Sequence, residues 1–173
     1  MKYINALGIE NFDVQLEYNI VRPYTYAHWD TLDYYPTYSV ASYSHANQSL
    51  AHPLGSNFKE GIFVCRYQPT LKWQFNLRVV HAIAPKNPSL QNFGSNILLP
   101  TGTRSMDYGN YTGQGEKSNI VHALVQASYE FYPNYFLDFK GFWRKTVSSL
   151  QRNDLYFASI GIRANFSEQL YDY

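Results

Sequence analysis

The sequence predicts an all-β fold: an antiparallel transmembrane β-barrel of the outer-membrane type, of which this chain supplies six or seven strands. Three observations carry that expectation. From Phe12 to Ile20 apolar and polar residues alternate without a break, with Phe, Val, Leu, Tyr and Ile at even positions and Asp, Gln, Glu and Asn at odd ones. In an extended strand successive side chains point to opposite faces, so this stretch has one oily and one polar face. Segments of the same kind recur, each about as long as the roughly 9–11 residues that cross a bilayer at a tilt. Tight turns and long loops alternate between them, as in barrels with short turns at one rim and long loops at the other.

The elements follow in order. A first strand is expected over 2–7, then a turn at Gly8-Ile9-Glu10-Asn11, then the strand 12–21. A long loop covers 22–57, with Pro36, Pro53, Gly55 and many Tyr and Ser. The next strand, 58–67, sets Phe63, Cys65 and Tyr67 against Glu60 and Arg66, and Gln68-Pro69-Thr70 is expected to turn because proline gives a ladder no donor. Residues 71–83 repeat the alternation, with Leu71, Trp73, Phe75, Leu77 and Val79 against Lys72, Gln74, Asn76 and Arg78. A second long loop, 84–118, is rich in Gly, Asn, Ser and Pro. Strands are then expected over 119–132 and 135–147 around the turn Pro133-Asn134, and over 155–166 after a medium loop from Ser148 to Asp154.

Composition agrees with strands: 18% of residues are aromatic, with 17 Tyr and 11 Phe. A net charge of +1 gives no electrostatic footprint for nucleic acid, so none is expected as a partner. The single cysteine, Cys65, excludes a disulfide framework within the chain. No apolar run reaches 18 residues, so no transmembrane helix is expected, and Met1 to Gly8 does not read as a signal peptide. A soluble β-sandwich or a lipocalin-like barrel also alternates in this way. Tyr18, Tyr67, Trp73, Tyr129, Tyr132, Tyr135 and Trp143 near strand ends favour the membrane, where amphipathic rings settle at the interface. Six or seven strands fall short of the smallest single-chain barrels, about eight, and open edges are prohibitive in hydrocarbon. The chain is therefore expected to be the C-terminal part of a larger barrel or one segment of an assembly. Its partners are membrane lipid and either other outer-membrane proteins or the missing N-terminal part.

Several blocks carry a resemblance. Asn19 to Tyr26, Ala46 to Glu60, Asn92 to Ile97, Met106 to Gly109, Gly113 to Ile120, and Gly161 to Asn165 with the ending Tyr171-Asp172-Tyr173 resemble the C-terminal region of a Bacteroidota outer-membrane family. That family includes the gliding-motility protein RemB and is similar to the capsule-assembly protein Wzi. A terminal Phe is more usual in barrels than this Tyr. The resemblance implies a many-stranded barrel in the bacterial outer membrane with a cell-surface role, in capsule assembly or gliding motility, no enzymatic activity and no cofactor.

Candidate sites fall in two groups. Tyr24, Tyr26, Trp29, Tyr43, Asn47, Gln48 and His52 in the first loop, with Tyr108 and Asn110 in the second, combine rings with amides in a way that suits capsular or surface polysaccharide. The same residues would also serve to pack long loops on themselves. Asp13, Glu17, Arg66, Lys72, Arg78, Glu130, Asp138, Lys140 and Arg144 fall at polar strand positions and are expected to line the lumen. Mixed signs there favour cross-strand pairing over a selective pore, although a diffusion channel remains the alternative reading. His28, Asp30, Asp33, His45 and His52 match no metal-ligand spacing, so no metal site is expected. Gly113-Gln114-Gly115-Glu116-Lys117-Ser118 misses the phosphate-loop spacing and precedes a strand. No nucleophile elbow or zinc-protease motif occurs, so no catalytic residue is assigned. Asn47-Gln48-Ser49 and Asn110-Tyr111-Thr112 match a glycosylation sequon that carries little weight in a bacterial outer membrane.

Overall fold

The computed structural model of the chain describes residues 1–29, 41–89, 91–149 and 151–165. Its strands are β1 (Lys2–Tyr3), β2 (Phe12–Val21), β3 (Ser44–His45), β4 (Gln48–Ser49), β5 (Phe58–Thr70), β6 (Trp73–Ile83), β7 (Ser118–Tyr132), β8 (Tyr135–Ser148) and β9 (Arg152–Ala164). Seven of them form one antiparallel sheet in the order β1-β2-β5-β6-β7-β8-β9, and β3 and β4 form a small hairpin of their own. The fold is all-β, as expected, but the sheet is open: β1 and β2 at one side do not pair with β9 at the other.

The register gathers the apolar positions into continuous rows. One row runs Leu16, Phe63, Val79, Ala123, Trp143, Tyr156; the next runs Val14, Cys65, Leu77, Val125, Gly141, Ala158. A third runs Phe12, Tyr67, Phe75, Ala127, Phe139, Ile160, and a fourth Trp73, Tyr129, Leu137, Ile162. These four rows hold no charged residue. Rows lie about 7 Å apart along a strand, so four of them cover some 20–27 Å. No layer of the described residues covers them: Leu16 is 54% exposed, Phe75 and Phe139 38%, Ile160 71% and Ile162 74%. Towards the long loops the same face turns polar, where Lys145 opposes Asp154 and Val147 opposes Arg152.

The opposite face is polar over its turn-end half, where Asp13, Arg66, Asn76, Gln126, Lys140 and Ser159 share a row. It is not polar throughout, contrary to the sequence expectation. Near the long loops it carries Phe58, Ile62, Val80 and Ala82, all buried, because the loops fold down onto it there. A row of Leu124, Phe142 and Phe157 also crosses this face.

Several boundaries differ from the sequence expectation, each for a local reason. The strand expected over 2–7 keeps ladder pairing only at Lys2 and Tyr3, since Asn5 at φ 52, Leu7 at φ 58 and Gly8 at φ 76 turn the chain into a short 3-10 segment. The expected turn at Gln68-Pro69-Thr70 lies inside β5. The ladder to β6 shifts register between Tyr67 and Thr70, and Pro69 sits in that irregularity, where no N–H is required. The turn itself is Leu71-Lys72. The medium loop expected from Ser148 to Asp154 is short, because Arg152, Asn153 and Asp154 pair with Val147, Thr146 and Lys145. Residues read there as loop for their polarity are strand residues beyond the apolar band. The hairpin β3–β4 interrupts the first long loop, turning at Ala46 and Asn47 with φ 48 and 60, the mirror-image turn that asparagine favours. Asp30, Asp33, Pro36, Phe166 and the ending Tyr171-Asp172-Tyr173 lie outside the described residues.

Candidate functional site

The two long loops, 22–57 and 84–117, leave the same end of the sheet, and their described residues interlock into a cap over its polar face. Three amides hold the cap. Asn57, fully buried at φ 60, donates its Nδ2 to Gln114 O at 2.8 Å, Ser95 Oγ at 2.9 Å and Phe93 O at 3.3 Å, and accepts from Gly113 N at 2.8 Å. Gln114 donates to Phe93 O at 3.0 Å and Asn110 Oδ1 at 2.8 Å, and accepts from Tyr111 N at 3.1 Å. Asn92 donates to Thr103 Oγ1 at 2.9 Å and accepts from Gly94 N at 2.9 Å. A buried amide is stable only when its donors and acceptors are met, and here Asn57 of the first loop finds all of its partners in the second.

Close backbone approach completes the joint. Tyr24 N donates to Gly94 O at 3.2 Å, and Ser56 Oγ to the same oxygen at 2.5 Å. Gly94 takes φ 80, and a Cβ there would lie 2.5 Å from Tyr24 N. The cap continues the main sheet at its root, since Lys86 and Glu116 exchange backbone hydrogen bonds at 3.0 Å beyond the β6–β7 ladder.

The candidate ligand residues divide by placement. Tyr24 is half-buried and donates its hydroxyl to Asn92 O at 2.6 Å; burial raises its phenol above the ordinary range, against the pull of the Ser105 backbone and Arg104. His52 stacks on Phe58 with ring centroids 4.4 Å apart and lies 3.2 Å from Glu60. Asn110 is engaged with Gln114 and with Met106 O. Tyr26 packs against Tyr43 at 5.9 Å. Trp29, Tyr43, Asn47, Gln48 and Tyr108 present exposed surface, Tyr108 at 90%. Among the described residues no group of His, Cys, Asp and Glu is placed to hold a metal.

The nine charged candidates share the polar face by strand parity, with Lys72 in the turn before β6. Their charges are not evenly spent. Asp138 takes Arg163 at 2.9 Å and Ser128 at 2.6 Å; Asp13 meets Lys2 at 3.6 Å; Glu130 accepts from Asn134 N at 2.9 Å; Glu17 pairs with Gln15. Arg66, Lys72, Arg78, Lys140 and Arg144 have no salt-bridge partner among the described residues. Among the described residues the face therefore holds these five unpaired cations beside Glu17 and Glu130, whose hydrogen bonds to neutral donors leave their charge in place. Asn57, Gln114, Asn92 and Lys86 were not singled out from the sequence. The one signal for Gln114 was its place between two glycines, which take φ 99 and 102.

No family model, curated protein or solved structure matches the chain.

Proposed function

We propose that this chain is part of a non-enzymatic outer-membrane β-barrel. Its capped loop end would face the cell exterior and bind or anchor surface polysaccharide. The observation that carries the membrane reading is the band of four uncharged rows that no layer of the described residues covers. A soluble sheet buries its oily side against a second layer, whereas a membrane barrel turns that side to lipid across about 25 Å. The aromatic cluster of Phe12, Tyr67, Trp73, Phe75 and Tyr129 at the tight-turn end suits an interfacial girdle. The free edge of β9 in hydrocarbon would leave its backbone groups unpaired, so further strands, from this protein or partner proteins, would close the sheet.

The surface role draws on the cap. Three of the blocks that carry the family resemblance, 46–60, 92–97 and 113–120, contain Asn57, Asn92, Gly94 and Gln114, the residues that lock the loops together. Long loops held by contacts of this kind belong to binding surfaces more often than to bare connections. The test is fractionation of the native protein together with its deletion. The expected outcome is a carbonate-resistant membrane protein whose mobility on gels changes on heating, and whose loss releases surface polysaccharide into the medium. Recovery of the folded protein from buffer without detergent would overturn the membrane reading; unchanged polysaccharide retention would overturn the anchoring role. A second reading, a diffusion channel, draws on the unpaired guanidiniums of the polar face. A robust ohmic, anion-selective conductance in planar bilayers would favour it.

A further inference from the structure

Between the cap and the polar face of β7–β9 lie two adjoining cavities of about 270 and 510 Å³, which share Lys86, Ser118, Arg144 and Thr146 as walls. They form one groove. Lys86 comes from the root of the second loop and Arg144 from the middle of β8, so each bank supplies one cation. Both side chains are exposed, and neither has a salt-bridge partner among the described residues. Glu116, opposite Lys86 in the backbone bridge, accepts from Ser149 Oγ and forms no salt bridge with Lys86. Opposite Arg144 in the ladder is His122 rather than an acid. The rest of the lining mixes hydroxyls and amides, with Asn87 in the larger cavity and Asn153 in the smaller, with apolar side chains, among them Leu54, Leu99 and Ile120 in the larger cavity and Leu155 in the smaller.

We infer that this groove binds an acidic saccharide, a chain of sugars bearing carboxylates, with Lys86 and Arg144 clamping one acidic group between them. A bare anion would use the two cations and leave the hydroxyls and amides idle. A neutral sugar would use the hydroxyls and amides and leave two cations facing it unpaired. An acidic pyranose uses both, since ring hydroxyls pair with Ser, Thr and Asn while its carboxylate accepts charge-assisted hydrogen bonds. The inference rests on the proposed surface-glycan role and names the ligand class and the site: the groove beneath the cap rather than the exposed rings above it.

The experiment uses the full protein extracted in mild detergent with the chains that close its sheet. Binding is followed with labelled oligogalacturonate, a neutral maltooligosaccharide of equal length, and tripolyphosphate as competitor. Oligogalacturonate is expected to bind best, more weakly as salt rises. Lys86→Gln and Arg144→Gln should each weaken it about tenfold. Arg144→Lys should recover part of the loss, and Lys117→Gln, on the same loop but away from the groove, should change nothing. Unaltered heat-dependent mobility confirms that each variant folds. Wild-type affinity in the Lys86→Gln/Arg144→Gln double variant would overturn the groove. Equal binding of the neutral oligomer would overturn the acidic class, and competition by tripolyphosphate at equal charge would reduce the site to an anion site. In all three cases the surface-glycan reading survives. If the wild type binds no saccharide at all, that reading fails along with the inference.

Discussion

Asn57 joins two loops with one side chain, and its removal is expected to be felt at once. Asn57→Ala leaves Gly113 N–H and the carbonyl oxygen of Gln114 without their partner, removes one of two donors to Phe93 O, and puts alanine at φ 60. A cost of about 3 kcal/mol is expected, read as faster hydrogen exchange at the Gly113 amide. Gly94→Ala should open the same joint from the backbone side. Its Cβ would meet Tyr24 N at 2.5 Å and the Tyr24 ring at 2.9 Å, a loss on the order of 2–3 kcal/mol, visible as protease cleavage within 84–117. Tyr24 adds a pH dependence. Burial raises its phenol, so the folded cap holds the proton more tightly than the unfolded chain does. That stabilisation is complete below the ordinary tyrosine value near 10 and is lost as pH rises through the raised one. Cap protection is expected to fall in strong alkali, and less so in Tyr24→Phe. An equal decline in both proteins would show that this hydroxyl is not the titrating group.

At the scale of the strand, neighbouring residues point to opposite faces, which the proposed membrane reading places in different solvents. Val125 stands in the second of the uncharged rows, and Gln126 points the other way. Val125→Arg is expected to cost about 2–4 kcal/mol when the protein folds into lipid vesicles, and Gln126→Arg far less. Similar costs at both positions, measured by urea unfolding from vesicles, would contradict the assignment of faces. This alternation was the part of the fold most open to reading from sequence. In β2 a side-chain period of two fixes face and strand together, so nothing else competes with it. Where a second constraint acts, the pattern misleads. Polar Arg152, Asn153 and Asp154 read as loop, yet they continue β9 beyond the apolar band. Pro69 reads as a turn, yet a shift in register accommodates it within β5. Alternation also hid Ile62 and Val80, apolar residues on the polar face, because their burial depends on a cap that no local pattern announces.

For the molecule as a whole, the sequence could assemble a face but not a cap. Strand parity alone brings Asp13, Arg78 and Arg144 to one side of the sheet. The joint between loops depends on Asn57 meeting residues from 93 to 114, a contact set by chain closure rather than by spacing, and so Asn57 and Lys86 gave no separate signal and Gln114 only its two flanking glycines. Which charges on the polar face are neutralised is equally non-local, since Asp138 is satisfied by Arg163 from the next strand while Arg144 is left over. The membrane reading puts the apolar rows against acyl chains. It is tested most directly by nitroxide labels at single cysteines in a Cys65→Ser background, at Leu16, Phe75 and Phe139 and at their neighbours Gln15, Gln74 and Lys140, in the protein folded in bilayers. Lipid-dissolved oxygen is expected to relax the first set and water-soluble nickel chelate the second, with a period of two along each strand. Oxygen and nickel reaching both sets alike, or nickel reaching Leu16, Phe75 and Phe139, would contradict it.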